Sequence, residues 1–341
     1  MDSFQRVLLC FVLAALTQPV LAATFYVGTC KAGGLTSISA AIAAVPDGST
    51  LNVCPGTYAE QVVIDKSLTL QGITSGNSSN VVITIPPGGL TQTTSVLFGS
   101  SVSPQVWVTG GPVTLKNIVV DGTGGGCPGD GWLTGIFYAS GSSGTINQVT
   151  VRNQTGGGCG LGIDAENGSS TLETITIKNS NVHDVDGQAV NVLFNLTGTV
   201  TSNYVSGGAA IVFDATGGSV TNNVVSGPIV GISVAGGLSA VSGNVVENSP
   251  VGMRIFTTAP VKNNTIVNSS FHGIELATNG VTVQSNTITQ SGTGIEFSCN
   301  TGTVSGNTIQ DATTGMDSVP AAFAGTNTFD SVITNSTGGC P

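Results

Sequence analysis

The sequence has 341 residues, of which 49 are glycine, and only 8% of the residues are charged. Lysine, glutamate and arginine, which favour helices, are therefore scarce, and the abundant valine, isoleucine and threonine favour strands. The net charge of −10 repels nucleic-acid phosphates, which excludes a nucleic-acid partner, and gives little long-range attraction for anionic polymers.

Residues 1–22 have the pattern of a signal peptide. Arg6 supplies a positive charge, Val7 to Leu16 form an apolar segment, and we expect cleavage after Ala22. The apolar segment is too short to span a bilayer, although a membrane anchor is the alternative. We therefore predict a secreted protein, extracellular or periplasmic, with no membrane span in the mature chain.

The N-terminal part of the mature chain begins with a predicted cap helix at residues 36–45. Apolar residues recur at helical spacing, Thr36 or Ser37 serves as the N-cap, and Pro46-Asp47-Gly48 ends the helix. The following segment STLNVCPGTYAEQVVIDKSLTLQG predicts the first strands. Residues 86–112 are rich in proline, glycine, serine and threonine, and predict a long loop or a partial coil.

The next part of the chain, about 113–330, repeats itself. A small residue followed by an apolar one recurs, first at two steps of 27 residues and then at six steps of 21. The small residues are Gly135, Gly162, Ala189, Ala210, Gly231, Gly252, Gly273, Gly294 and Gly315. Apolar residues alternate within each phrase, which is typical of a strand. A strand unit of this length buries its apolar face only by stacking, so the repeat predicts a parallel solenoid; a helical array is the alternative.

A column of asparagines runs in step with the repeat. Its members are Asn203, Asn223, Asn244, Asn264, Asn286 and Asn307. We expect these residues to adopt the left-handed conformation at a sharp turn, with their amides bonded along the column. The prediction is an all-β fold, a single-stranded parallel β-helix over residues 23–341 with an N-terminal helical cap.

Six cysteines follow the expected cleavage site, and an even number in an exported protein suggests disulfides. Cys127 and Cys159 lie in similar glycine-rich segments, so we favour the sequential pairing among the 15 possible ones. That pairing also joins Cys30 to Cys54, and Cys299 to Cys340 at the C-terminal end.

The segment SISAAIAAVPDGSTLNVCPGTYAEQVVIDKSLTLQG and the coils after it resemble exported proteins of the pectin lyase-like superfamily. The resemblance implies a right-handed β-helix that acts on or binds an extracellular polysaccharide. PGTYAE looks like a segment of pectin methylesterases, but the QDTL and DFIFG motifs of that family are absent, as are the polygalacturonase and pectate lyase signatures. An enzyme of this kind would be a polysaccharide lyase or a glycoside hydrolase, and a non-catalytic surface or adhesive solenoid is the alternative. We expect a monomer.

The strand that begins at each small residue carries most of the charged residues. The geometry that the resemblance implies makes this strand the lining of the substrate groove. Its first outward positions are Phe137, Asp164, Asn191, Val212, Ser233, Arg254, Glu275, Glu296 and Asp317. The alternative is that outward strand positions simply tolerate charge.

An acidic cluster marks one end of this face. Asp164, Asp186 and Asp214 are the candidate metal ligands, because neighbouring carboxylates need a counter-charge and calcium binds carboxylate oxygens. Solvated acidic loops are the alternative. Calcium would then assist a polysaccharide lyase.

The other end holds the candidate catalytic residues Arg254, His272 and Glu275, with Asp214 as their acidic partner. Asn191 and Glu296 are candidate substrate-binding residues. Stacked carboxyls suit a retaining glycosidase, Arg254 or His272 would be the base of a lyase, and a salt bridge between Arg254 and Glu275 is the alternative. Asp164 and Glu275 are five coils apart, so the patch spans roughly 24 Å at about 4.8 Å per coil.

Overall fold

A computed structural model describes residues 23–75, 78–127, 129–321, 323, 325–338 and 340. The expected signal peptide, residues 1–22, lies outside the described residues. Within these ranges, no helix combines the length and the apolar character that crossing a bilayer requires.

Strands form nearly all of the regular structure. The strands before residue 100 are Thr24–Val27, Ser49–Val53, Gly56–Ala59, Val62–Ile64, Leu68–Gly72, Thr74–Ser75, Ser78–Ser79, Val81–Thr84 and Thr93–Thr94. Those of the middle part are Ser101–Val108, Val113–Lys116, Val119–Asp121, Trp132–Tyr138, Gly144–Asn147, Thr150–Gln154, Gly160–Asn167 and Glu173–Lys178. Those of the last part are Asn181–Thr201, Tyr204–Thr221, Val224–Ser226, Val230–Ser242, Val245–Glu247, Val251–Ile255, Val261–Lys262, Thr265–Leu276, Val281–Gln284, Thr287–Glu296, Gly302–Ser305, Thr308–Gln310, Thr314–Val319, Thr328–Asp330 and Thr334–Gly338.

Apart from Thr74–Ser75, Ser78–Ser79 and Thr93–Thr94, which form antiparallel pairs, these strands stack in three parallel sheets, and each coil passes through the three in turn. The first sheet starts with Thr24–Val27, the second with Gly56–Ala59 and the third with Val62–Ile64. Longer strands such as Asn181–Thr201 run through all three, because the chain stays extended around the corners. The predicted single-stranded, right-handed parallel β-helix is confirmed.

The cap helix is also confirmed, over Ile38–Ala44. Ser37 is its N-cap, because the Ser37 hydroxyl accepts a hydrogen bond from the Ala40 amide at 3.1 Å. The Glu60 carboxylate accepts the amides of Ile38 and Ser39 at the same end. Ile38 and Ala41 are buried, so the helix covers the apolar end of the first coil.

The segment 86–112 is more regular than the sequence predicted. Ser101–Val108 is a full strand of the third sheet, paired with Val62–Ile64 on one side and Trp132–Tyr138 on the other. Coil stacking begins at Thr24, ahead of the regular repeat at about 113–330. The excursion between Thr84 and Ser101 interrupts the 21-residue spacing in this part of the chain.

The small residue of each repeat has a steric cause. A Cβ added at Gly252 would lie 2.5 Å from the Gly273 carbonyl oxygen and 2.6 Å from Cγ2 of Ile266. The chain turns inward at this point and packs against the second sheet, which leaves no room for a larger side chain. The position therefore fixes the register of every coil.

The asparagine column forms a buried ladder, as predicted, and Asn327 extends it. In its middle, Nδ2 of Asn264 donates to Oδ1 of Asn286 at 2.9 Å and to the Val241 carbonyl at 3.1 Å. The expected left-handed conformation, however, belongs to the residue before each ladder position, such as Asn263 or Ser285. The ladder asparagines are selected for hydrogen bonding inside the core, and the preceding residue makes the turn.

The sequential disulfide pairing is confirmed. The bonds join Cys30 to Cys54, Cys127 to Cys159 and Cys299 to Cys340. Each joins two different coils, and the Cys299–Cys340 bond reaches from one coil to the second coil after it, so the disulfides link the stack along its axis.

Candidate functional site

The predicted charged column is a real column on the outer face of the third sheet. Successive coils place its members directly over one another in the order Phe137, Asp164, Asn191, Val212, Ser233, Arg254, Glu275, Glu296 and Asp317. The inward neighbours, such as Ile274, belong to the apolar core. Strand alternation thus brings residues up to 180 positions apart onto one face.

One end of this face is covered. Asp164 and Asn191 are fully buried, and Glu166, two residues further along the strand, is also buried. Ser95 Oγ and the Leu97 amide donate to Oε2 of Glu166 at 2.9 and 3.0 Å. Outward positions are therefore sealed here by a segment that the sequence did not assign to the site.

Burial changes the chemistry of Asp164. Burial, followed by the charge of Glu166, raises the pKa of Asp164 to about 8, and the nearby Asn191 amide lowers it only in part. Neither carboxylate oxygen reaches hydrogen-bond geometry with a partner among the described residues. Asp164 is therefore protonated at neutral pH.

Asp186 does not have the role predicted for it. Its Oδ2 accepts the amides of Gly156, Gly157 and Gly158 at 2.7 to 2.9 Å, and its Oδ1 accepts the Gly160 amide at 2.7 Å. The carboxylate is saturated by four backbone donors and holds the glycine-rich loop in place. It is not free to bind a metal ion.

The predicted calcium site is not formed. Asp164 is sealed, Asp186 is used by the loop, and Asp214 is an exposed residue stacked between Leu193 and Ala235. Across the described ranges, no group of three histidine, cysteine, aspartate or glutamate residues is arranged to hold a metal ion. Sequence reasoning placed the three carboxylates on nearby coils but could not show that they serve separate structures.

The other end of the face is open, and three candidate residues, Arg254, Glu275 and Glu296, are stacked there in consecutive coils. Nε of Arg254 donates to Oε2 of Glu275 at 2.8 Å, and the two side chains are 40% and 20% exposed. His272 precedes Glu275 by three residues in the same strand, and its Nδ1 is buried with no hydrogen-bond partner among the described residues. Glu296 follows Glu275 in the column, and its Oε1 accepts the Ser298 amide at 2.7 Å.

Two exposed phenylalanines accompany these polar groups, and sequence reasoning gave them no role. Phe271 is 63% exposed and precedes Glu275 by four residues in the strand Thr265–Leu276, and Phe256 is 47% exposed just after the Arg254 strand. Along the strand direction, one exposed phenylalanine therefore precedes the ion pair and the other follows it. Phe256 could have been found from its outward position two residues after Arg254, whereas the exposure of Phe271 has no periodic signal.

The model of one protein family, NosD, described as periplasmic copper-binding protein, matches residues 166–336, which is half of the chain. The description as periplasmic, together with the three disulfides, agrees with the predicted export to the periplasm or the extracellular space. No curated protein matches the chain.

Among solved structures, the chain is similar to the A-module of mannuronan C-5 epimerase AlgE4 from Azotobacter vinelandii. The identity is 17% and the TM-score 0.49, over 89% of this chain and 92% of that one. It is also similar to the pectin methylesterase of Aspergillus niger, at 14% identity and a TM-score of 0.33 over 94% and 90% of the two chains. Escherichia coli YbhC has 14% identity and a TM-score of 0.31 over 82% and 74%.

Proposed function

We propose that this chain, which belongs to the NosD family, is an exported protein that binds a neutral polysaccharide across the open end of the third sheet. The observation that carries the proposal is the Arg254–Glu275 ion pair, with the exposed Phe271 before it and the exposed Phe256 after it along the strand direction. Aromatic rings cover the apolar faces of sugars, and fixed polar groups orient the hydroxyls. The rigid coil stack holds both kinds of group in place.

The charges of the face favour a neutral ligand. Glu275, Glu296 and Asp317 follow one another in adjacent coils, with Arg254 as the one basic residue in the described column. Carboxylates of a uronate chain would meet like charges here, and the net charge of −10 adds to the repulsion. Neutral hydroxyls, in contrast, accept and donate hydrogen bonds to the same side chains.

Binding explains the open end better than catalysis does. A retaining glycosidase needs one free carboxylate as nucleophile and one as acid. Glu275 is bound to Arg254, and one oxygen of Glu296 is bound to the Ser298 amide. Both carboxylates are thus held as fixed hydrogen-bonding groups.

The family is described as copper-binding, but the side chains of this chain that could ligate copper are not arranged to do so. Copper prefers imidazole, thiolate and thioether ligands. His183 lies on the second sheet and His272 on the third, and the cysteines of the described ranges are in disulfides. Met253 and Met316 are buried in the core. The proposal therefore assigns no role to copper.

The test measures how strongly the wild-type protein and matched variants bind a panel of neutral and uronate polysaccharides. Binding is measured by affinity electrophoresis and by calorimetry. Arg254→Ala and Phe271→Ala should each lower affinity for one neutral polysaccharide by about tenfold or more, the effect of about 1.4 kcal/mol. Arg152→Ala and Tyr204→Ala are the controls. Arg152 is an equally exposed, ion-paired arginine, and Tyr204 is 52% exposed, and both lie on the second sheet.

The proposal is wrong if no neutral polysaccharide binds, or if the control variants lose as much affinity as the two site variants. Each bound polysaccharide is also incubated with the protein and assayed for new reducing ends and for unsaturated products. Turnover that Glu275→Gln abolishes would replace the binding role with a catalytic one.

A further inference from the structure

The covered end of the third sheet contains buried polar groups that reach no hydrogen-bond geometry with any described residue. Asp164 and Asn191 are stacked in adjacent coils and are fully buried. Both carboxylate oxygens of Asp164, both amide atoms of Asn191 and Oε1 of Gln188 have no hydrogen-bond partner among the described residues. Each such buried group costs about 1–3 kcal/mol, so a purely structural role explains this cluster poorly.

A small hairpin, residues 93–102, which we call the cover hairpin, is attached to the same end of the third sheet. Its arms Thr93–Thr94 and Ser101–Val102 pair in antiparallel fashion. Its tip is attached by the Glu166 carboxylate, which accepts Ser95 Oγ and the amides of Val96 and Leu97. The Phe98 ring also stacks on Trp132 with centroids 4.3 Å apart.

This attachment consists of contacts with two residues of the third sheet, Glu166 and Trp132. The tip contacts Glu166, near the end of the strand Gly160–Asn167, and Trp132, at the start of the preceding strand Trp132–Tyr138. Phe137 and Asp164, which pair with each other in these two strands, are both buried. Apart from Glu166 and Trp132, the tip bonds to itself, through Ser95. A cavity lined by Gln92, Ser103, Gly125 and Leu133 opens beside the base of the hairpin.

We propose that Asp164, Asn191 and Gln188 form a second saccharide site, which a neutral sugar reaches when the tip of the cover hairpin leaves Glu166. The site rests on the proposed function, because it extends the same face of the third sheet. Asn191 and a protonated Asp164 offer both donors and acceptors, which suits sugar hydroxyls. The rings of Phe137 and Trp132 supply apolar surface.

The same groups exclude the other ligand classes. A uronate would bring its carboxylate beside the charge of Glu166, and like charges at this distance repel. A divalent cation needs several charged or carbonyl oxygens directed at one point. Among the described residues, no three histidine, cysteine, aspartate or glutamate side chains are arranged in this way.

The experiment measures, by mass spectrometry, the rate of amide hydrogen exchange in the cover hairpin. The rate is compared without sugar and with cellohexaose, xylohexaose, mannohexaose or hexagalacturonate. The experiment is run on wild-type protein and on the Arg254→Ala/Phe271→Ala variant, in which the open end is disabled. We expect one neutral hexasaccharide to speed exchange at Val96 and Leu97 in both proteins. Asn191→Ala and Asp164→Ala should reduce that effect and lower affinity about tenfold, and Ser233→Ala, in the same column, should not.

Unchanged exchange with every neutral hexasaccharide overturns the second site, as does an effect that survives Asn191→Ala. Opening by hexagalacturonate, or by calcium chloride alone, overturns the assignment to a neutral sugar. A different result is expected if only the proposed binding site at the open end is wrong. In that case the Arg254→Ala/Phe271→Ala variant binds the sugar as strongly as wild-type protein, whereas Asn191→Ala abolishes binding.

Discussion

Arg254 and Glu275 occupy the same outward position in adjacent coils, and their side chains form a 2.8 Å ion pair. The arginine is 40% exposed, so solvent screens the pair. Exposed ion pairs stabilise a fold by about 0.2–1 kcal/mol. The pair therefore contributes little to stability, which is consistent with the ligand-binding role that we propose.

A double-mutant cycle of Arg254→Ala and Glu275→Ala should give a coupling energy below about 1 kcal/mol in the free energy of unfolding. The measurement is urea denaturation at low and at high salt, where the coupling should shrink further. Arg152 and Asp121 are the comparison, because Asp121 is more buried and also bonds to Asn153 and Thr123. A larger coupling at Arg254 than at Arg152 would contradict the binding role.

The asparagine ladder should, in contrast, carry much of the stability. Asn264→Ala removes the acceptor of the Asn244 amide groups and the donor to Val241, deep in the core. Buried groups left without partners cost about 1–3 kcal/mol each, so we expect a loss of about 3 kcal/mol or more. The measurement is the urea midpoint, with Asn335→Ala, an exposed asparagine, as control. Equal midpoints for the two variants would show that the ladder is dispensable.

The sequence predicted the structural features that recur from coil to coil. The 21-residue step predicted the stacking of Arg254 on Glu275, and similar glycine-rich segments predicted the Cys127–Cys159 bond. These features follow from one repeated unit, because each coil places its residues over those of the last. Extending the ladder by one more step would also have found Asn327.

The sequence could not predict contacts that are made once and across the repeat. The amides of Val96 and Leu97 bond to Glu166, about 70 positions away, and no periodic pattern connects them. Likewise, Asp186 is bound by backbone amides of Gly156 to Gly160, and a backbone donor leaves no mark in the residue pattern. Both contacts turned expected surface carboxylates into structural ones.

Asp186 should make the glycine-rich loop sensitive to acid. Its burial, which alone raises the pKa, is outweighed by four backbone N–H bonds, so the pKa of Asp186 lies below its usual range. The ionised Asp186 carboxylate therefore stabilises the folded protein at pH values above the ordinary pKa of an aspartate, about 3.9. This stabilisation is lost as the pH falls through the lower pKa that Asp186 has in the folded protein. Asp186→Asn should lower the melting temperature at neutral pH and speed hydrogen exchange at Gly156 to Gly160. Asp214→Asn, an exposed control, should change neither property.

Asp164 should give the opposite dependence on pH. Its folded pKa of about 8 lies above the unfolded value of about 3.9, so the folded state holds the proton more tightly between these values. The free energy of unfolding should therefore fall as the pH rises from about 4 to about 8 and should then level off. The upper bound on this fall is about 1.4 kcal/mol for each unit of difference between the folded and unfolded pKa values. Asp164→Asn, which stays neutral, should remove this slope and be more stable than wild type at pH 8. The measurement is urea denaturation across pH 4 to 9, with Asp214→Asn as control; equal slopes for wild type and Asp164→Asn would show that Asp164 is ionised in the folded protein.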